Sequence, residues 1–317
     1  MNPGERTKSS AYGGPGWEPR NRALADELGS VWGSCGVSNE WGPLKSVLLH
    51  RPGSEIDDIG DADRVQFLAL PDPTRARLQH DLLGRALEAS GVDVHYLTPK
   101  TPPPPNQMFA ADLFFMTREG AILGRPASLV RAGEEVHVAQ KLLDLKIPIL
   151  ASVNGSGTFE GADAAWLDAK TVLIGIGRRT NEQGVRQVTD ALAWLGVEAA
   201  PLRLPPWAMH LMGVLRFASP GIAVVWPGSL PEGAAVVLNR SGYRLEYIPD
   251  VAEAVGGHAL NFVTLGPLRI LAPAGNPRTI AFYRDLDIDC IEVEVSELIK
   301  AAGAIGCLTG ILERSDD

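Results

Sequence analysis

The chain has 317 residues, of which 45% are hydrophobic and 21% are charged. These proportions are typical of globular proteins and exclude a largely disordered chain. The formal net charge of −9 argues against a nucleic-acid-binding protein and against a basic membrane-surface protein. No apolar run is long enough to cross a bilayer, so we expect no contact with membrane.

The first part of the chain is rich in Gly, Pro, Ser and charged residues and lacks the apolar stretch of a signal peptide. We expect residues 1–37 to form a disordered or extended lead-in and residues 38–317 to form a single domain. The three cysteines, Cys35, Cys290 and Cys307, are odd in number and lack zinc-site spacing, so we expect no disulfide framework and no structural zinc. These features predict a cytoplasmic protein.

Pairs of short apolar segments joined by turn residues recur along the chain and predict β-hairpins. A less complete copy lies at residues 41–53, and the clear copies lie at residues 112–126, 162–177, 209–226 and 260–273. Helical patterns lie at residues 73–90, 134–145, 181–195, 278–286 and 296–302. The order of hairpin, helix and further strand recurs about five times. A repeat of roughly 50 residues indicates a propeller or a solenoid.

Four chemically reactive residues stand at corresponding places in these repeats. Asp112, Glu160, His210 and Cys307 follow one another at spacings of 48, 50 and 97 residues, and the last spacing is about twice the others. In a closed ring, equivalent positions converge on the central axis. Two carboxylates, an imidazole and a thiol would then meet there, and nucleophilic catalysis by a thiol requires such groups.

The ordered motifs resemble the guanidine-modifying superfamily, which has the pentein fold, a five-bladed α/β propeller of ββαβ units. The motifs are EWGPLKSVLLHRPG near the start, FAAD, FEGAD, GRRTN, MHL and SELIKAAGAIGC, and they span nearly the whole chain after residue 38. The superfamily contains arginine deiminases, amidinotransferases and dimethylarginine dimethylaminohydrolases. The resemblance implies an α/β fold of this kind and chemistry on a guanidine.

The resemblance also implies residue roles. Cys307 matches the nucleophile, His210 the general acid and base, Glu160 the carboxylate that orients the histidine, and Asp112 the carboxylate that binds the guanidinium. In this superfamily the reaction passes through a covalent thiouronium intermediate on the cysteine. We therefore expect no metal and no organic cofactor.

Three further residues match positions that bind substrate in the superfamily. Asp163 falls on the second acid of an E-G-G-D motif. Arg131 and Arg179 fall where dimethylarginine hydrolases bind the α-carboxylate of the amino acid. These matches predict that the substrate is an amino acid.

Two positions depart from the superfamily pattern. Met212 stands where arginine deiminases and amidinotransferases carry the acid of an H-x-D motif, and Ala111 stands where dimethylarginine hydrolases often carry an acid. Methionine cannot bind a cation by charge and offers a soft apolar surface. The guanidinium pocket is therefore predicted to be less acidic and to tolerate an alkyl-substituted nitrogen.

The prediction is a hydrolase that converts arginine, or an N-methylated arginine, into citrulline and ammonia or an amine. Two alternatives stay open. The first is an amidinotransferase that passes the amidino group to an acceptor amine. The second is a non-catalytic pentein that binds a ligand or a partner. The sequence predicts a small-molecule guanidine as the partner of this protein, and it predicts neither nucleic acid nor membrane as a partner. Whether the protein forms a homo-oligomer stays open.

Overall fold

The computed structural model describes residues 6–230 and 232–316. Within them, the strands form five three-stranded sheets. In each sheet the central strand pairs antiparallel with one neighbour and parallel with the other. The strands are β1 (Leu44–Leu49), β2 (Asp93–Tyr96), β3 (Phe114–Met116), β4 (Ala121–Leu123), β5 (Ile149–Ser152), β6 (Ala164–Asp168), β7 (Thr171–Ile176), β8 (Glu198–Arg203), β9 (Leu215–Ser219), β10 (Ile222–Val225), β11 (Arg244–Tyr247), β12 (Val263–Gly266), β13 (Arg269–Pro273), β14 (Asp289–Val293) and β15 (Gly310–Arg314).

The helices connect the central strand of a sheet to its parallel neighbour or lie between sheets. Their bounds are α1 (Pro73–Ala89), α2 (Glu134–Asp144), α3 (Glu182–Ala193), α4 (Glu232–Arg240), α5 (Val251–Gly256), α6 (Pro277–Asp285), α7 (Ser296–Ile299) and α8 (Ile305–Leu308). Side chains cap several of them as expected for helix N-termini, since Asp72 accepts from Arg75 N at 2.9 Å and Asn181 accepts from Gly184 N at 2.8 Å. The five predicted helices are present within a few residues of their predicted bounds, whereas α4, α5 and the short α8 were not predicted.

The first sheet explains why the hairpin at residues 41–53 is incomplete in the sequence. The central strand β1 takes its antiparallel partner from β15, so that Val47 lies opposite Ile311 and Leu48 opposite Gly310. The two halves of this hairpin therefore come from opposite ends of the chain. Their pairing closes the ring of five sheets, and the five-bladed α/β propeller predicted from the repeat is confirmed.

The packed domain extends further toward the N-terminus than residue 38. Cys35 and Val37 are buried among core residues, and the N–H of Gly36 donates to the carbonyl of Leu312 at 3.0 Å. The predicted boundary at residue 38 therefore lies inside a segment that packs on the sheet of β15. Residues 1–5 of the predicted lead-in lie outside the described residues. Among the helices that are described, none combines the length and the apolar character that a membrane span requires.

Three of the sheets begin after a single turn of 3-10 helix that lies at the centre of the ring. The 3-10 turn of one sheet contacts that of the next, so some backbone positions in these turns have almost no free space around them. An added Cβ at Gly161 would lie 2.1 Å from the carbonyl oxygen of Phe114. Only glycine therefore fits at this contact.

We predict that Gly161→Ala destabilises the fold by about 1–3 kcal/mol, because the new methyl group would overlap backbone atoms that cannot move independently. The matched control is Gly213→Ala in another of these turns, where an added Cβ meets nothing within 4 Å. Chemical denaturation of both variants measures the difference. Equal stabilities for the two variants would contradict the packing described for Gly161.

Candidate active site

The four residues that the repeat spacing singled out meet at the centre of the ring. Asp112 ends a 3-10 turn, Glu160 and His210 each immediately precede one, and Cys307 lies in α8 just before β15. All four side chains are at least nine-tenths buried. His210, Asp112 and Cys307 line one cavity, and Glu160 lies behind His210. The structure therefore brings the predicted thiol, imidazole and carboxylates together.

Glu160 and His210 form a tight buried pair. The Nε2 of His210 lies 2.7 Å from Oε2 of Glu160, a distance typical of a charge-assisted hydrogen bond. The other oxygen of Glu160 accepts from the backbone N–H of Ala127 at 3.1 Å. Because both oxygens of Glu160 are bound, the carboxylate fixes the plane of the imidazole and leaves Nδ1 as the nitrogen free to exchange a proton.

The surrounding charges decide the protonation of this pair. Burial alone would lower the pKa of His210, but the carboxylates of Asp112, Asp163 and Glu160 outweigh it and raise the pKa to about 9. Burial would raise the pKa of Glu160, but the cations of Arg131 and His210 lower it to about 2. Near pH 7 the pair is therefore an imidazolium beside a carboxylate, and the imidazolium can act as a general acid.

Cys307 is held by both polar ends of the Asn261 side chain. The Nδ2 of Asn261 lies 3.0 Å from Sγ, and the backbone N–H of Cys307 donates to Oδ1 of Asn261 at 3.1 Å. Burial, followed by the negative charge of Asp112, raises the pKa of Cys307 to about 11, although the contact with Asn261 opposes this change. Without a ligand Cys307 is therefore a thiol at neutral pH, and a nearby positive charge would favour its ionisation.

Asp112 has one oxygen bound and one oxygen free. Its Oδ2 accepts from Nη1 of Arg131 at 2.7 Å. Its Oδ1 is buried, has no hydrogen-bond partner among the described residues and lies 4.0 Å from Nδ1 of His210. A buried carboxylate oxygen without a donor is costly, so this atom indicates a site for an N–H group that a ligand brings.

Arg131 is enclosed by carboxylates. Its Nε and Nη2 donate to the same oxygen of Glu134 at 2.9 and 2.8 Å, and Nη1 donates to Asp112 and to Glu160 at 2.7 and 3.2 Å. The side chain is 3% exposed. Contact with a substrate carboxylate stays a prediction for this residue, and its described hydrogen bonds leave one N–H of the guanidinium for it.

Arg179 is the freer of the two arginines. Its side chain is 16% exposed, and its Nη1 makes a long contact of 3.5 Å with Oε1 of Glu160. It lines the same cavity as Cys307 and His210. Its position suits the predicted binding of a negatively charged group of the substrate.

Asp163 is fully buried behind the cavity. Its Oδ1 accepts from the backbone N–H of Leu211 at 2.9 Å, which fixes the turn that carries His210. Burial raises the pKa of Asp163 to about 6, against the opposing charge of His210. The described contacts make Asp163 a positioning residue for His210, whereas binding of substrate by this acid stays a prediction.

The cavity at the reacting groups is polar and narrow. Its volume is about 20 Å³, which is room for about one water molecule. Besides Asp112, Arg131, Arg179, His210 and Cys307, its lining includes two amides that sequence analysis did not single out, Gln66 and Asn106. A substrate therefore enters only after a lining side chain moves.

Asp112, Glu160 and His210 also have the composition of a metal site. One ligand atom from each lies within 4.8 Å of the others. The guanidinium of Arg131, however, already lies against both carboxylates and neutralises them. The same arrangement of acceptors suits a guanidinium ion from a substrate, which is planar and carries several N–H donors.

Sequence analysis missed Asn261, which contacts the nucleophile directly. A signal was available, because Asn261 stands 51 residues after His210 and opens the fifth hairpin. It therefore completes the series of Asp112, Glu160 and His210. An amide was passed over because it neither titrates nor attacks, although it can fix a thiol by hydrogen bonds.

The chain is similar to known proteins over most of its length. The chain is 27% identical over 267 residues to the N(G),N(G)-dimethylarginine dimethylaminohydrolase of Pseudomonas aeruginosa, covering 84% of this chain and 98% of the relative. A crystal structure of a dimethylarginine dimethylaminohydrolase adduct with 4-chloro-2-hydroxymethylpyridine matches with a TM-score of 0.70 and 25% identity, over 84% of this chain and 99% of that one. An amidinotransferase of Microseira wollei has the same fold, with a TM-score of 0.71 and 17% identity, over 89% of this chain and 98% of that one.

The sequence model of one protein family, described as N,N dimethylarginine dimethylhydrolase, eukaryotic, matches residues 72–311. This match covers well over half of the chain and includes Asp112, Glu160, His210 and Cys307. The chain therefore belongs to the N,N-dimethylarginine dimethylhydrolase family, whose members are enzymes that hydrolyse a C–N bond of an amidine.

Proposed function

We propose that this protein hydrolyses an arginine that carries a methyl substituent on its guanidino group, and that it releases citrulline and an amine. The observation that carries the proposal is the buried, unpartnered Oδ1 of Asp112, which shares a cavity with His210 and Cys307. A guanidinium supplies the missing N–H donor and places its central carbon among these groups. The dimethylarginine dimethylaminohydrolase of Pseudomonas aeruginosa supports the choice of substrate by its similarity.

Binding of the substrate cation prepares the nucleophile. Asp112 accepts an N–H of the guanidinium at Oδ1, and the positive charge then lies beside the buried sulfur. An adjacent cation lowers the pKa of a thiol, so it opposes the effect of burial on Cys307. The thiol ionises in the presence of substrate and stays protonated in its absence.

The first chemical step forms a bond from Sγ of Cys307 to the guanidinium carbon. The C–N bond to the substituted nitrogen then breaks, and this nitrogen takes the proton from Nδ1 of His210 and leaves as an amine. The thiouronium that remains is attached to the sulfur. In the second half of the reaction, His210 accepts a proton from water and the water oxygen bonds to the carbon of the thiouronium. The bond from that carbon to sulfur then breaks, and citrulline is released.

The polar end of the substrate fits the arginine side of the cavity. We assign the contact with the α-carboxylate to Arg179, because its guanidinium has one long ion pair and is partly exposed. Movement of Arg179 away from Glu160 would also open the narrow cavity. Asn106 and Gln66 line the same side and offer further hydrogen bonds to the amino acid.

We predict that Cys307→Ser abolishes release of citrulline, because a serine hydroxyl is far harder to ionise than a thiol at this position. Wild-type protein quenched during turnover of Nω-methyl-L-arginine should carry a covalent thiouronium adduct on Cys307 that retains the ornithine part of the substrate, detected by mass spectrometry of the peptide. Cys290→Ser, which changes a half-buried thiol that does not line the cavity, is the control and should retain activity. Near-normal turnover by Cys307→Ser would exclude this nucleophile.

The same assay separates hydrolysis from the two alternatives. An amidinotransferase would yield ornithine and an amidino group on an added acceptor amine, and a binding protein would yield neither product. Citrulline formed at the same rate with and without acceptor amines is the expected result.

We predict a rise of kcat/KM with pH, of about tenfold per unit between pH 7 and pH 9, and a plateau between pH 9 and pH 11. The pKa of His210 is raised to about 9 and that of Cys307 to about 11, so below pH 9 both groups are protonated in the free enzyme. The active form carries one proton between His210 and Cys307. The fraction of the protein in this form increases as the pH approaches 9. In Glu160→Gln the imidazolium loses a carboxylate partner, so the pKa of His210 should be lower. The rise of kcat/KM should then reach its plateau at a lower pH. A rate that falls between pH 7 and pH 9 would contradict this assignment.

We predict that replacing Arg131 by alanine affects mainly stability, whereas replacing Arg179 by alanine affects mainly activity. Arg131→Ala should lower the free energy of unfolding by about 3–5 kcal/mol, because it leaves buried carboxylates without a cation. Arg179→Ala should leave the melting temperature nearly unchanged and lower kcat/KM for Nω-methyl-L-arginine roughly 10–150-fold. The loss should be much smaller for a decarboxylated substrate such as agmatine. If both variants were equally stable and equally slow, this distinction between the two arginines would be wrong.

A further inference from the structure

A second cavity opens on the other side of the reacting groups. Its volume is about 510 Å³, within the range typical of small-molecule sites. Cys307, His210, Met209 and Ala302 line both this cavity and the narrow polar one. The thiol and the imidazole therefore stand at the junction of two spaces, of which the first is polar and the second is not.

The walls of this second cavity, which we call the apolar cavity, are large hydrophobic side chains. Trp207 and Trp226 form an aromatic pair with ring centroids 5.1 Å apart and an interplanar angle of 47°. Leu68, Met209 and Val255 complete the rim, and each of them, like Trp207, is exposed. Exposed apolar side chains gathered around one cavity are typical of a binding site.

Among the described residues that line the apolar cavity, the one charged side chain is that of His210, which also lines the polar cavity and is bound to Glu160. No Asp, Glu, Lys or Arg is among its lining residues within the described part of the chain. Burial lowers the pKa of His258, so this imidazole is neutral near pH 7. The α-carboxylate and the α-ammonium of an amino acid would lose water here without compensation. The amino-acid end of a substrate therefore belongs in the polar cavity, beside Arg179.

Met212 and Gly213 shape the space on the far side of the guanidinium. Met212, whose side chain carries no charge, lines the apolar cavity. Gly213 leaves open space, because an added Cβ would meet no atom within 4 Å. A guanidinium whose carbon faces Cys307 thus directs one of its nitrogens toward a space without anionic partners.

From this geometry we infer that the apolar cavity binds an alkyl or aryl group, larger than methyl, on the guanidino nitrogen that leaves as an amine. The inference rests on the proposed function and specifies its substrate class: arginines whose guanidino group carries a bulky apolar substituent. A methyl group would fill a small part of a cavity of this volume. A phenyl or branched alkyl group would contact the two tryptophans.

The chemistry is the same as for a methylated substrate, and water is the co-reactant. The sulfur bonds to the guanidinium carbon, the bond from that carbon to the substituted nitrogen breaks, and the nitrogen leaves as the primary amine after taking a proton from His210. Water then supplies the oxygen of citrulline and returns a proton. The net reaction consumes one substrate and one water and gives one citrulline and one apolar amine.

The test compares Nω-benzyl-L-arginine with Nω-methyl-L-arginine in the full-length protein, with citrulline and the amine measured by mass spectrometry. We expect kcat/KM to be at least tenfold higher for the benzyl compound, because a single methylene in an apolar pocket changes this ratio by roughly 10–200-fold. A benzyl compound turned over more slowly than the methyl compound would overturn the inference while leaving the proposed function intact.

Two variants test whether the substituent on the guanidino nitrogen binds in the apolar cavity. Gly213→Leu fills the apolar cavity and Trp207→Ala removes one wall, so each should lower the ratio of benzyl to methyl kcat/KM at least tenfold. Trp194→Ala is the matched control, since Trp194 is 74% exposed and does not line the cavity. An unchanged ratio in both cavity variants would show that the substituent binds elsewhere.

A binding measurement separates the inference from the proposed reaction. In Cys307→Ser, quenching of tryptophan fluorescence by Nω-benzyl-L-arginine should saturate, and Gly213→Leu in the same background should weaken the affinity at least tenfold. If the wild type released no citrulline from either compound but this binding were present, the proposed hydrolysis would fail and the apolar cavity would stand as a binding site. Absence of saturable binding would overturn the inference.

Discussion

The pairing of β15 with β1 is the constraint on which the rest of the structure depends. Five sheets arranged in sequence would leave their first turns spread along an arc, and only a closed ring brings them to one axis. Closure brings Cys307, in the helix just before β15, to the centre where Asp112, Glu160 and His210 already lie. The fold and the site therefore share one condition, namely that the last described strand completes the first sheet.

The second organising feature is the balance of charge at the centre. Asp112, Glu134 and Glu160 are buried carboxylates, and the cations of Arg131 and His210 lie among them. Isolated charges at this depth would be very unfavourable, so each group depends on its neighbours. Among the described residues the network leaves Oδ1 of Asp112 and Oε1 of Glu134 without a donor, and Asp112 lines the cavity that contains His210 and Cys307. The proposed binding of a cation rests on the unpartnered oxygen of Asp112.

Much of this arrangement is readable from the sequence because it depends on local patterns. Alternating apolar segments with turn residues define the hairpins, and the reactive residues occur at a nearly constant spacing. Other features depend on contacts between distant segments and leave no local pattern. The antiparallel partner of β1 lies more than 260 residues away, and two of the carboxylates around Arg131, those of Asp112 and Glu160, lie 19 and 29 residues from it in the chain. Helix α4 was missed because its Ala and Val residues suit a strand as well as a helix, and α5 because six residues give too short a pattern.

The ring closure also has a kinetic consequence. Strand pairs within the other four sheets form between neighbouring parts of the chain, whereas Leu44 meets Arg314 across almost the whole of it. Such a long-range pair carries a large loop-closure entropy and slows folding relative to local contacts. Cys307 lies just before β15, so its position depends on this pairing. Alignment of Cys307 with Asp112, Glu160 and His210 therefore depends on a strand pair that spans almost the whole chain.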